Sequence, residues 1–455
     1  MKSEAVARGP RTRATARARA IATALRQPGG SGKNGEGRRM LSRIKLPQTT
    51  AMILAGGRVG ELSVLTLERP KSALPFAGHY RIIDFPLSNL CSAGINAVGI
   101  LSQYRPASLI DHVGVGESWD FVGLDRGAKI LPPYSAAEGS DWYRGNADAV
   151  YQNLDYLRDR QTELVLVLSG DHIYSMDYRE LLVAHLERGA ELTVALKAMP
   201  PEARDRRFGY ATLGMDERVL SYEEKPAEPK SDLVSLTVYV FTFAALEEVL
   251  LGMKDHDSIE FGRDVIPAML ARERVYGHRF DGYWAYTRTV DSYFAAHEDL
   301  LEGQIDIESW MIRTNNEDNS LARQVPPIFR TWSDVDCSLI GEGSLIDGTV
   351  HRSVLGPGVR VGRGATIENS ILYNDVVVAP GARIRDAIID KRTQVGQAAT
   401  IGIAPPGSDV QGPRVTERGI VLIGKAARIT EGTAVPRWGV VPPGARVAPG
   451  TAGAA

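Results

Sequence analysis

The stretch that decides the fold reads Ala51-Met52-Ile53-Leu54-Ala55-Gly56-Gly57, an apolar run that ends in two glycines. An uninterrupted apolar run is typical of a strand that is covered on both faces of a sheet. Glycines at its end let backbone N–H groups approach an anion, and a helix that begins there adds its dipole. Because the following residues have a helix-like pattern, we predict a phosphate-binding turn. On its own the pair Gly56-Gly57 is a weak signal, since many strand-to-helix turns contain two glycines.

Three further apolar runs repeat the pattern, at residues 97–101, 164–168 and 192–196. The segments between the runs are long enough for crossover helices. This alternation predicts a Rossmann-like α/β domain with a mostly parallel sheet over residues 48–305. Ligands of such sheets bind at the carboxyl ends of the strands, which is where the two glycines fall.

The sequence changes after residue 330, where glycine turns recur and small aliphatic residues return at six-residue intervals, as at Val359, Ala365 and Ile371. The spacing predicts hexapeptide repeats of a left-handed parallel β-helix over residues 330–455, with about four coils and a C-terminal extension. Irregular glycine-rich loops are the alternative. Because such solenoids usually stack against partners, we expect an oligomer. The turns read Ile340-Gly341-Glu342-Gly343, Leu355-Gly356-Pro357-Gly358, Val361-Gly362-Arg363-Gly364 and Ala379-Pro380-Gly381.

Charge is unevenly distributed along the chain. Residues 1–45 hold twelve Lys and Arg against two Glu, which leaves 41 basic and 53 acidic residues in the remainder. We predict a basic tail over residues 1–47 and a linker over residues 306–329. The tail could be a solvated extension, a transit-like segment, or the product of a start assigned upstream of Met40. The acidic body argues against a nucleic-acid-binding surface.

Composition also indicates the cellular compartment in which the protein works. The chain has no run of about 18 apolar residues, so we expect no membrane span. Its two cysteines, Cys91 and Cys337, lie far apart in sequence and suggest neither a disulfide framework nor a metal cluster. We therefore expect a cytoplasmic protein.

Ordered motifs accompany the glycine turn, and together they are far more specific than the turn alone. They read Glu68-Arg69-Pro70-Lys71-Ser72-Ala73-Leu74-Pro75, Tyr80-Arg81-Ile82-Ile83-Asp84-Phe85-Pro86-Leu87-Ser88-Asn89, Asp141-Trp142-Tyr143-Arg144-Gly145-Asn146-Ala147-Asp148-Ala149-Val150, Ser169-Gly170-Asp171-His172-Ile173-Tyr174 and Glu260-Phe261-Gly262-Arg263-Asp264-Val265-Ile266-Pro267. This series resembles the signature of the sugar-1-phosphate nucleotidyltransferases. The segment Arg81–Phe85 resembles the bacterial ADP-glucose pyrophosphorylase branch.

The resemblance implies a reaction of ATP with glucose 1-phosphate that gives ADP-glucose and pyrophosphate for glycogen synthesis, with Mg²⁺ as cofactor. In this family Lys71 would neutralise phosphate charge, and Asp171 would hold Mg²⁺, a hard cation that prefers carboxylate oxygen. The residues implied for the nucleotide are Gly56, Gly57 and Arg58. The residues implied for glucose 1-phosphate are Tyr143, Gly209, Glu224, Lys225 and Ser235.

Each assigned side chain has an ordinary structural alternative. Lys71 and Lys225 could be surface ion-pair residues. Asp171, at the end of a strand, could cap a following helix. Tyr143 could be a packed aromatic residue whose hydroxyl is satisfied within the fold.

Two positions on the nucleotide side depart from the family pattern. Glu61 stands where the family has an arginine that binds the triphosphate, and like charges near 4 Å repel by roughly 4 kcal/mol at an intermediate dielectric. Tyr286 stands where the family has a second carboxylate for the metal, and a neutral phenol is a poor ligand of Mg²⁺. Arg58 or Arg288 could supply the missing positive charge.

Three smaller departures add to these. Val59 and Thr237 replace glycines, and Glu68 falls where some members place a lysine for a phosphorylated activator. Two hypotheses follow. The chain is an active enzyme of a homo-tetramer, or it is a modulating subunit that binds sugar phosphate beside an intact catalytic paralogue in a hetero-tetramer. A synthase of another nucleotide sugar fits less well, because residues 81–85 match the ADP-glucose branch.

Overall fold

The computed structural model of the chain describes residues 47–57, 59–123, 126–133, 142–272, 274–316, 325–403 and 415–450. Arg58 lies outside the described residues, and so does the predicted basic tail apart from residue 47. Within the described ranges, an α/β domain is followed by a solenoid of short parallel strands. The predicted fold class is confirmed.

In the described residues, nine strands form the central sheet: β1 (Thr49–Leu54), β2 (Ala97–Leu101), β3 (Gly127–Leu131), β4 (Leu164–Ser169), β5 (Leu192–Ala198), β6 (Gly209–Leu213), β7 (Val219–Glu224), β8 (Leu233–Thr242) and β9 (Val275–Arg279). The neighbours β3, β2, β1 and β4 run parallel. The ten-residue strand β8 lies antiparallel between β4 and β5. Strands β6 and β7 continue from β8 as an antiparallel pair, and β9 runs parallel to β5. The apolar runs predicted as strands are β1, β2, β4 and β5.

The carboxyl ends of three parallel strands meet at one edge of the sheet, and this edge positions the site. Leu54 pairs with both Leu101 and Ser169, so the residues after β1, β2 and β4 emerge side by side. Gly56 follows β1, and Asp171 follows β4. Because the interior of β1 is fully buried, the edge rests on a rigid support.

In the described part of the chain, eight α-helices connect or cover the strands: Asp84–Ala93, Ala107–Val113, Asn146–Tyr151, Leu154–Asp159, Tyr178–Glu187, Phe243–Gly252, Ile266–Leu270 and Val290–Leu301. The last of these begins with a capping box between Thr289 and Ser292. The first ends at Gly94, whose φ of 73° is a conformation that glycine adopts without steric cost. None of the helices in these ranges is long and apolar enough to cross a membrane.

The helix expected directly after the two glycines is not formed. Residues Gly60–Thr66 make short 3₁₀ turns that are broken at Ser63, whose backbone has a φ of 49°. Leu62 and Val64 lie two residues apart, which places them on different faces of a regular helix. Both are buried together with Leu65, and the break makes this burial compatible with one core. A helix dipole therefore does not contribute to anion binding at this turn.

Short parallel strands stack into three sheets, which form the sides of the β-helix. The first side holds Ile328–Phe329, Leu345–Ile346, Arg360–Val361, Val377–Val378, Gln394–Val395, Arg428–Ile429 and Arg446–Val447. The second side holds Asp334–Asp336, Thr349–His351, Thr366–Glu368, Arg383–Arg385, Thr400–Ile401 and Ala434–Val435. The third side holds Leu339–Ile340, Val354–Leu355, Ile371–Leu372, Ala387–Ile389, Val421–Ile423 and Val440–Val441. Inward side chains such as Val361 and Ile367 are fully buried and form its core.

The β-helix has more coils than the four predicted. Its first side contains seven strands within the described residues, the last of them at Arg446–Val447. The prediction was wrong because the repeat interval is interrupted. Val377 pairs with Gln394, and Gln394 pairs with Arg428 on the next coil. The sequence separation of the second pair is twice that of the first. Residues 404–414 of this longer coil lie outside the described residues.

The two domains share a buried junction. Arg69 donates to both carboxylate oxygens of Asp390 at 2.9 Å, and both side chains are almost fully buried. The hydroxyl of Tyr293 in the α/β domain lies 2.7 Å from that of Tyr373 in the β-helix. The loop that leads to Lys71 is thereby attached to the solenoid.

Candidate active site

A cavity of about 430 Å³ opens at the carboxyl edge of β1, β2 and β4. It brings together most of the residues assigned from the sequence, and Lys71 lies beside it in contact with Asp171. The assigned residues in its wall are Gly56, Gly57, Tyr143, Asp171, Gly209, Glu224, Lys225 and Ser235. Arg58 is the assigned residue that the described ranges leave out.

Lys71 and Asp171 form an ion pair on one side of the cavity. We name it the nucleotide side, after the role that the sequence predicts for Gly56 and Gly57. Nζ of Lys71 lies 2.8 Å from Oδ2 of Asp171, and Lys71 is only 2% exposed. Burial lowers the pKa of Lys71, while the Asp171 carboxylate opposes that effect. Asp171 is followed directly by the short strand His172–Tyr174, so it caps no helix. The surface alternative for Lys71 and the capping alternative for Asp171 are therefore both wrong.

The other contacts of Asp171 hold its carboxylate in the charged form. Ser169 donates a hydrogen bond to Oδ1, and Nε2 of His172 lies 3.3 Å from the same atom. Against the effect of burial, Lys71 and His172 keep the pKa of Asp171 well below its usual range. Trp284 donates to Nδ1 of His172 at 3.3 Å, which leaves Nε2 as the protonated nitrogen. Burial lowers the pKa of His172 to about 4.

The sugar-phosphate side is built around Glu224, which lies between two glycines. A Cβ atom on Gly262 would lie 2.0 Å from Oε2 of Glu224, and one on Gly209 would lie 3.0 Å from it. The hydroxyl of Tyr222, which is 3.4 Å from the same oxygen, would also collide with a Cβ on Gly209. A side chain at either glycine would therefore displace the Glu224 carboxylate or the Tyr222 hydroxyl from its present place.

Lys225 and Ser235 complete this side of the cavity. Nζ of Lys225 lies 3.3 Å from Oε1 of Glu224, and the Lys225 side chain is more than half exposed. Lys225 thus forms the surface ion pair of the structural alternative, although it also lines the cavity. Oγ of Ser235 is buried and lies 3.2 Å from the hydroxyl of Tyr239. The side therefore offers a cation, a carboxylate and hydroxyl groups.

Tyr143 lines the cavity with a hydroxyl that is already engaged. The hydroxyl donates to the carbonyl oxygen of Leu131 at 2.9 Å and accepts from Nδ2 of Asn153 at 3.0 Å. Its backbone N–H donates to the side chain of Gln103 at 3.0 Å. The structural alternative, a packed aromatic residue with a satisfied hydroxyl, describes Tyr143 in this structure. The hydroxyl therefore has no proton left to donate to a ligand, since its single O–H is used within the fold.

The two departures on the nucleotide side contact each other through Arg288. Nε of Arg288 lies 2.9 Å from Oε1 of Glu61, and Nη1 donates to the hydroxyl of Tyr286 at 3.2 Å. Against partial burial, these two contacts raise the pKa of Arg288 above its ordinary value. Against its own partial burial, a backbone N–H and Arg288 lower the pKa of Glu61. The negative charge of Glu61 is therefore compensated at the cavity wall.

Tyr286 places an aromatic ring where the family pattern has a carboxylate. The ring stacks on Trp284 with an interplanar angle of 12°, and Nζ of Lys71 lies 4.4 Å from its centroid. Burial and the charge of Asp171 raise the pKa of Tyr286, so its phenol is neutral at neutral pH. The ring face stabilises the Lys71 cation, and the hydroxyl provides no anionic metal ligand.

The donors present fit Mg²⁺ only in a site that is shared with a substrate. Among the residues described, no group of three or more His, Cys, Asp or Glu is placed to hold a metal ion. Mg²⁺ is commonly bound by one or two carboxylates, with substrate phosphates and water as the remaining ligands. The charged carboxylate of Asp171 fits this mode, and Tyr286 adds no charge to it.

Comparison with known proteins identifies the family. The chain matches the family model for nucleotidyl transferases over residues 50–303 and the model for the GlmU-like C-terminal hexapeptide over residues 330–423. It is 43% identical over 329 residues to a glucose-1-phosphate adenylyltransferase of Thermotoga maritima, a match that covers 70% of this chain and 76% of that protein. The chain belongs to the glucose-1-phosphate adenylyltransferase family.

Two further relatives carry the same name. The glucose-1-phosphate adenylyltransferase of Geobacillus stearothermophilus is 41% identical over 325 residues, which cover 70% of this chain and 82% of that protein. The one from Fervidobacterium nodosum is 37% identical over 390 residues, which cover 84% and 92%. The predicted family is confirmed. These comparisons do not favour the hypothesis of a modulating subunit.

Thr237 is a departure from the glucose-1-phosphate adenylyltransferase pattern that the structure explains locally. Its φ of 53° is a left-handed conformation that a β-branched residue rarely adopts. The register of β8 against β5 shifts between Ser235 and Tyr239, so the strand bulges at this point. All three residues line the cavity, and the bulge is therefore part of its wall.

Three further residues that line the cavity had no role assigned from the sequence: Arg207, Asn146 and Glu260. Arg207 pairs with Asp205, and it faces the nucleotide side. Asn146 accepts a hydrogen bond from the backbone of Phe261 at 2.7 Å, and its own N–H donates to Glu260 at 3.3 Å. Two motifs of the glucose-1-phosphate adenylyltransferase series are thus joined in space. The sequence shows their order but not this contact.

Proposed function

We propose that the chain transfers an adenylyl group from ATP to glucose 1-phosphate. The products are pyrophosphate and ADP-glucose, a glucosyl donor for glycogen. The proposal is carried by one cavity that holds the Gly56–Gly57 turn and Asp171 on one side and Glu224 with Lys225 on the other. The names of relatives that are 37% to 44% identical to the chain support it.

The proposed reaction is an in-line displacement at phosphorus. A phosphate oxygen of glucose 1-phosphate bonds to the α-phosphorus of ATP, while the bond from that phosphorus to the pyrophosphate oxygen breaks. Such a reaction needs positioning and charge stabilisation from the protein more than covalent help. Lys71 neutralises charge on the transferred group, Lys225 holds the attacking phosphate, and Glu224 accepts hydrogen bonds from sugar hydroxyls.

We propose Mg²⁺ as the cofactor, held by Asp171 together with phosphate oxygens of the nucleotide. Bound there, it would neutralise phosphate charge in the transition state. The support is the carboxylate itself, which Ser169 and His172 orient and keep charged. We expect a chelator to abolish turnover and added Mg²⁺ to restore it.

The test is pyrophosphate release by the purified full-length chain from ATP, glucose 1-phosphate and Mg²⁺. We expect turnover of about 1 s⁻¹ or more, a low value for an ordinary enzyme. A reaction without glucose 1-phosphate is the control and should release none. A chain that binds glucose 1-phosphate without turnover would contradict the proposal and support a modulating subunit.

We also propose that the chain assembles into a tetramer in which a second copy covers the first coil of the β-helix. Four apolar side chains there are about half exposed: Val325, Ile328, Phe329 and Trp332. Contiguous exposed apolar groups mark an interaction surface. Light scattering of the purified chain should give a tetramer, and Phe329→Glu with Trp332→Glu should lower the mass. A monomeric wild-type chain would contradict this assembly, and a tetramer that forms only with a paralogue would support the hetero-tetramer.

We propose that the chain works in the cytoplasm, and its two cysteines support this proposal. Cys91 and Cys337 are both free thiols, and Cys337 is exposed. An exposed free thiol persists in a reducing compartment. Fractionation of cells that express the chain tests this placement.

A further inference from the structure

Three residues at the nucleotide side of the cavity form one unit. Arg288 contacts Glu61 through Nε at 2.9 Å and Tyr286 through Nη1 at 3.2 Å. Glu61 and Tyr286 are the two principal departures from the family pattern. Tyr286 and Arg288 are two residues apart in sequence, whereas Glu61 precedes Arg288 by 227 residues. Their contact indicates that the two departures are linked.

Arg288 and Tyr286 both line the cavity, and Arg288 is the member of this unit that carries a positive charge. It lines the cavity on the same side as Gly56 and Asp171, and its side chain is 34% exposed. A guanidinium has five donors in a planar fork. In the described part of the chain, the hydrogen bonds of Arg288 use Nε and Nη1 and leave Nη2 without a partner. Donors therefore remain for an anion in the cavity.

Among the described residues, the other cations near the cavity are less available to a nucleotide phosphate. Lys71 is buried and paired with Asp171. Arg207 already holds the carboxylate of Asp205 with both Nε and Nη2, and Lys225 lies beside Glu224. Arg288 combines a position in the wall with unused donors.

We propose that Arg288 binds the polyphosphate of the nucleotide and that Glu61 and Tyr286 are positioning residues for its guanidinium. The inference rests on the proposed function, because it assigns a residue to the nucleotide of that reaction. Arginine suits this role because its fork contacts two phosphate oxygens at once.

The ion pair with Glu61 is compatible with this role. Both side chains are more than a third exposed, and pairs so exposed are held weakly. Arg288 can therefore keep Nε on Glu61 and turn its remaining donors to phosphate. Tyr286 limits the motion of the guanidinium, since its ring is fixed by stacking on Trp284.

The test measures binding separately from turnover. Calorimetric titrations with ATP, inorganic tripolyphosphate and glucose 1-phosphate are compared between the wild-type chain, Arg288→Gln and Arg288→Lys. We expect Arg288→Gln to weaken ATP and tripolyphosphate binding by roughly tenfold to a hundredfold, the value of a charge-assisted hydrogen bond. Arg288→Lys should recover part of this affinity. Glucose 1-phosphate affinity should stay within about twofold, which is small on the scale of one hydrogen bond.

Arg279→Gln is the matched control variant. Arg279 forms a similarly exposed pair with Glu217 at 3.3 Å and does not line the cavity. It should leave all three affinities unchanged. Arg288→Gln with wild-type affinity for ATP would overturn the inference, even if the wild-type chain turns over. A wild-type chain that binds neither ATP nor tripolyphosphate would overturn both the inference and the proposed function.

Glu61→Arg gives a second and independent test. If Arg288 has replaced the cation lost at position 61, a second guanidinium there meets Arg288 and brings no gain in ATP affinity. A gain of tenfold or more, the value of one charge-assisted hydrogen bond, would show that the missing cation belongs at position 61. That result would overturn the inference.

Discussion

The two halves of the cavity are held in different ways. On the sugar-phosphate side, Glu224 lies against the backbones of Gly209 and Gly262, where an added Cβ would approach to 3.0 Å or less. On the nucleotide side, Arg288 and Glu61 are held by a partly exposed side-chain ion pair. A wall made by close backbone approach does not tolerate change at single positions. A wall made by charges tolerates change when another residue supplies the charge.

Loss of the Lys71 cation should have the largest effect, on the half of the cavity that depends on charge. We expect Lys71→Met to lower kcat by roughly 10²–10³-fold, because a preorganised charge beside the transferred phosphate is removed. The assay is pyrophosphate release. Asp171 would lose its partner, which we expect to cost about 2–4 kcal/mol, less than for a fully buried pair. The double variant Lys71→Met, Asp171→Asn should recover stability without activity, and a loss of kcat below tenfold would contradict the role of Lys71.

Gly262→Ala should break the other half of the cavity. Its Cβ would lie 2.0 Å from Oε2 of Glu224 and displace the carboxylate. Because the displaced carboxylate would lose its proposed hydrogen bonds to the sugar, we expect glucose 1-phosphate affinity to fall by roughly tenfold to a hundredfold. Titration calorimetry measures this, and ATP affinity should be retained. Gly252→Ala is the matched control, since its Cβ would meet nothing within 4 Å. Equal losses for both ligands would remove the distinction between the halves.

Acid should weaken the whole fold and thus both halves together. His297 is buried against Phe76, and burial lowers its pKa to about 4. Unfolded histidine takes up a proton below about pH 6.5, so between these values the unfolded state binds more protons. This histidine alone should therefore lower the free energy of unfolding by about 1–3 kcal/mol as the pH falls from 6.5 to 4.

Chemical denaturation at several pH values checks this expectation. His297→Gln should make the pH dependence shallower by this share, while His172 and His185, whose pKa values burial also lowers, keep the remainder. The same slope in wild type and His297→Gln would assign the effect to another group.

Thr237→Gly should change stability by the smallest amount of these variants. It tests the backbone on the sugar-phosphate side of the cavity. The left-handed φ of Thr237 stores strain. Removing the side chain relieves the strain but adds freedom to the unfolded chain, so we expect a net gain of about 1 kcal/mol. Thermal unfolding measures the gain. A destabilised variant would show that the threonine side chain contributes packing that outweighs the strain.

The sequence predicts the parts of the molecule that repeat. Apolar runs give the buried strands such as β1, and six-residue spacing gives the β-helix, because each pattern reflects the period of a regular structure. The additional coils escaped prediction since an insertion between Gln394 and Arg428 breaks the interval. The prediction of a helix after Gly57 was wrong. The burial of Val64, which follows the break at Ser63, outweighs the local preference for a helix.

The candidate site was predictable as a set of residues but not as a set of contacts. Order along the chain identifies Lys71 and Asp171, and it marks Glu61 as a departure. Order does not show that Glu61 meets Arg288, because the contact joins distant segments. Likewise, the close approach of Gly262 to Glu224 depends on packing between separate elements. In the sequence, Glu61 and Tyr286 therefore look like the loss of two functional groups. In the structure, the positive charge missing at position 61 is found nearby on Arg288.

The buried pair between Arg69 and Asp390 has a consequence for how the molecule melts. Arg69 lies two residues before Lys71, and its charge is neutralised by a residue of the solenoid. Separating the two domains would break this buried pair and expose to water the apolar cluster that both domains share. The chain has two domains, but we expect them to unfold together as one cooperative unit. Calorimetry should therefore show a single unfolding transition. An α/β fragment produced alone would lack the anchor of the loop that leads to Lys71, so we expect the solenoid to be required for the arrangement of the cavity.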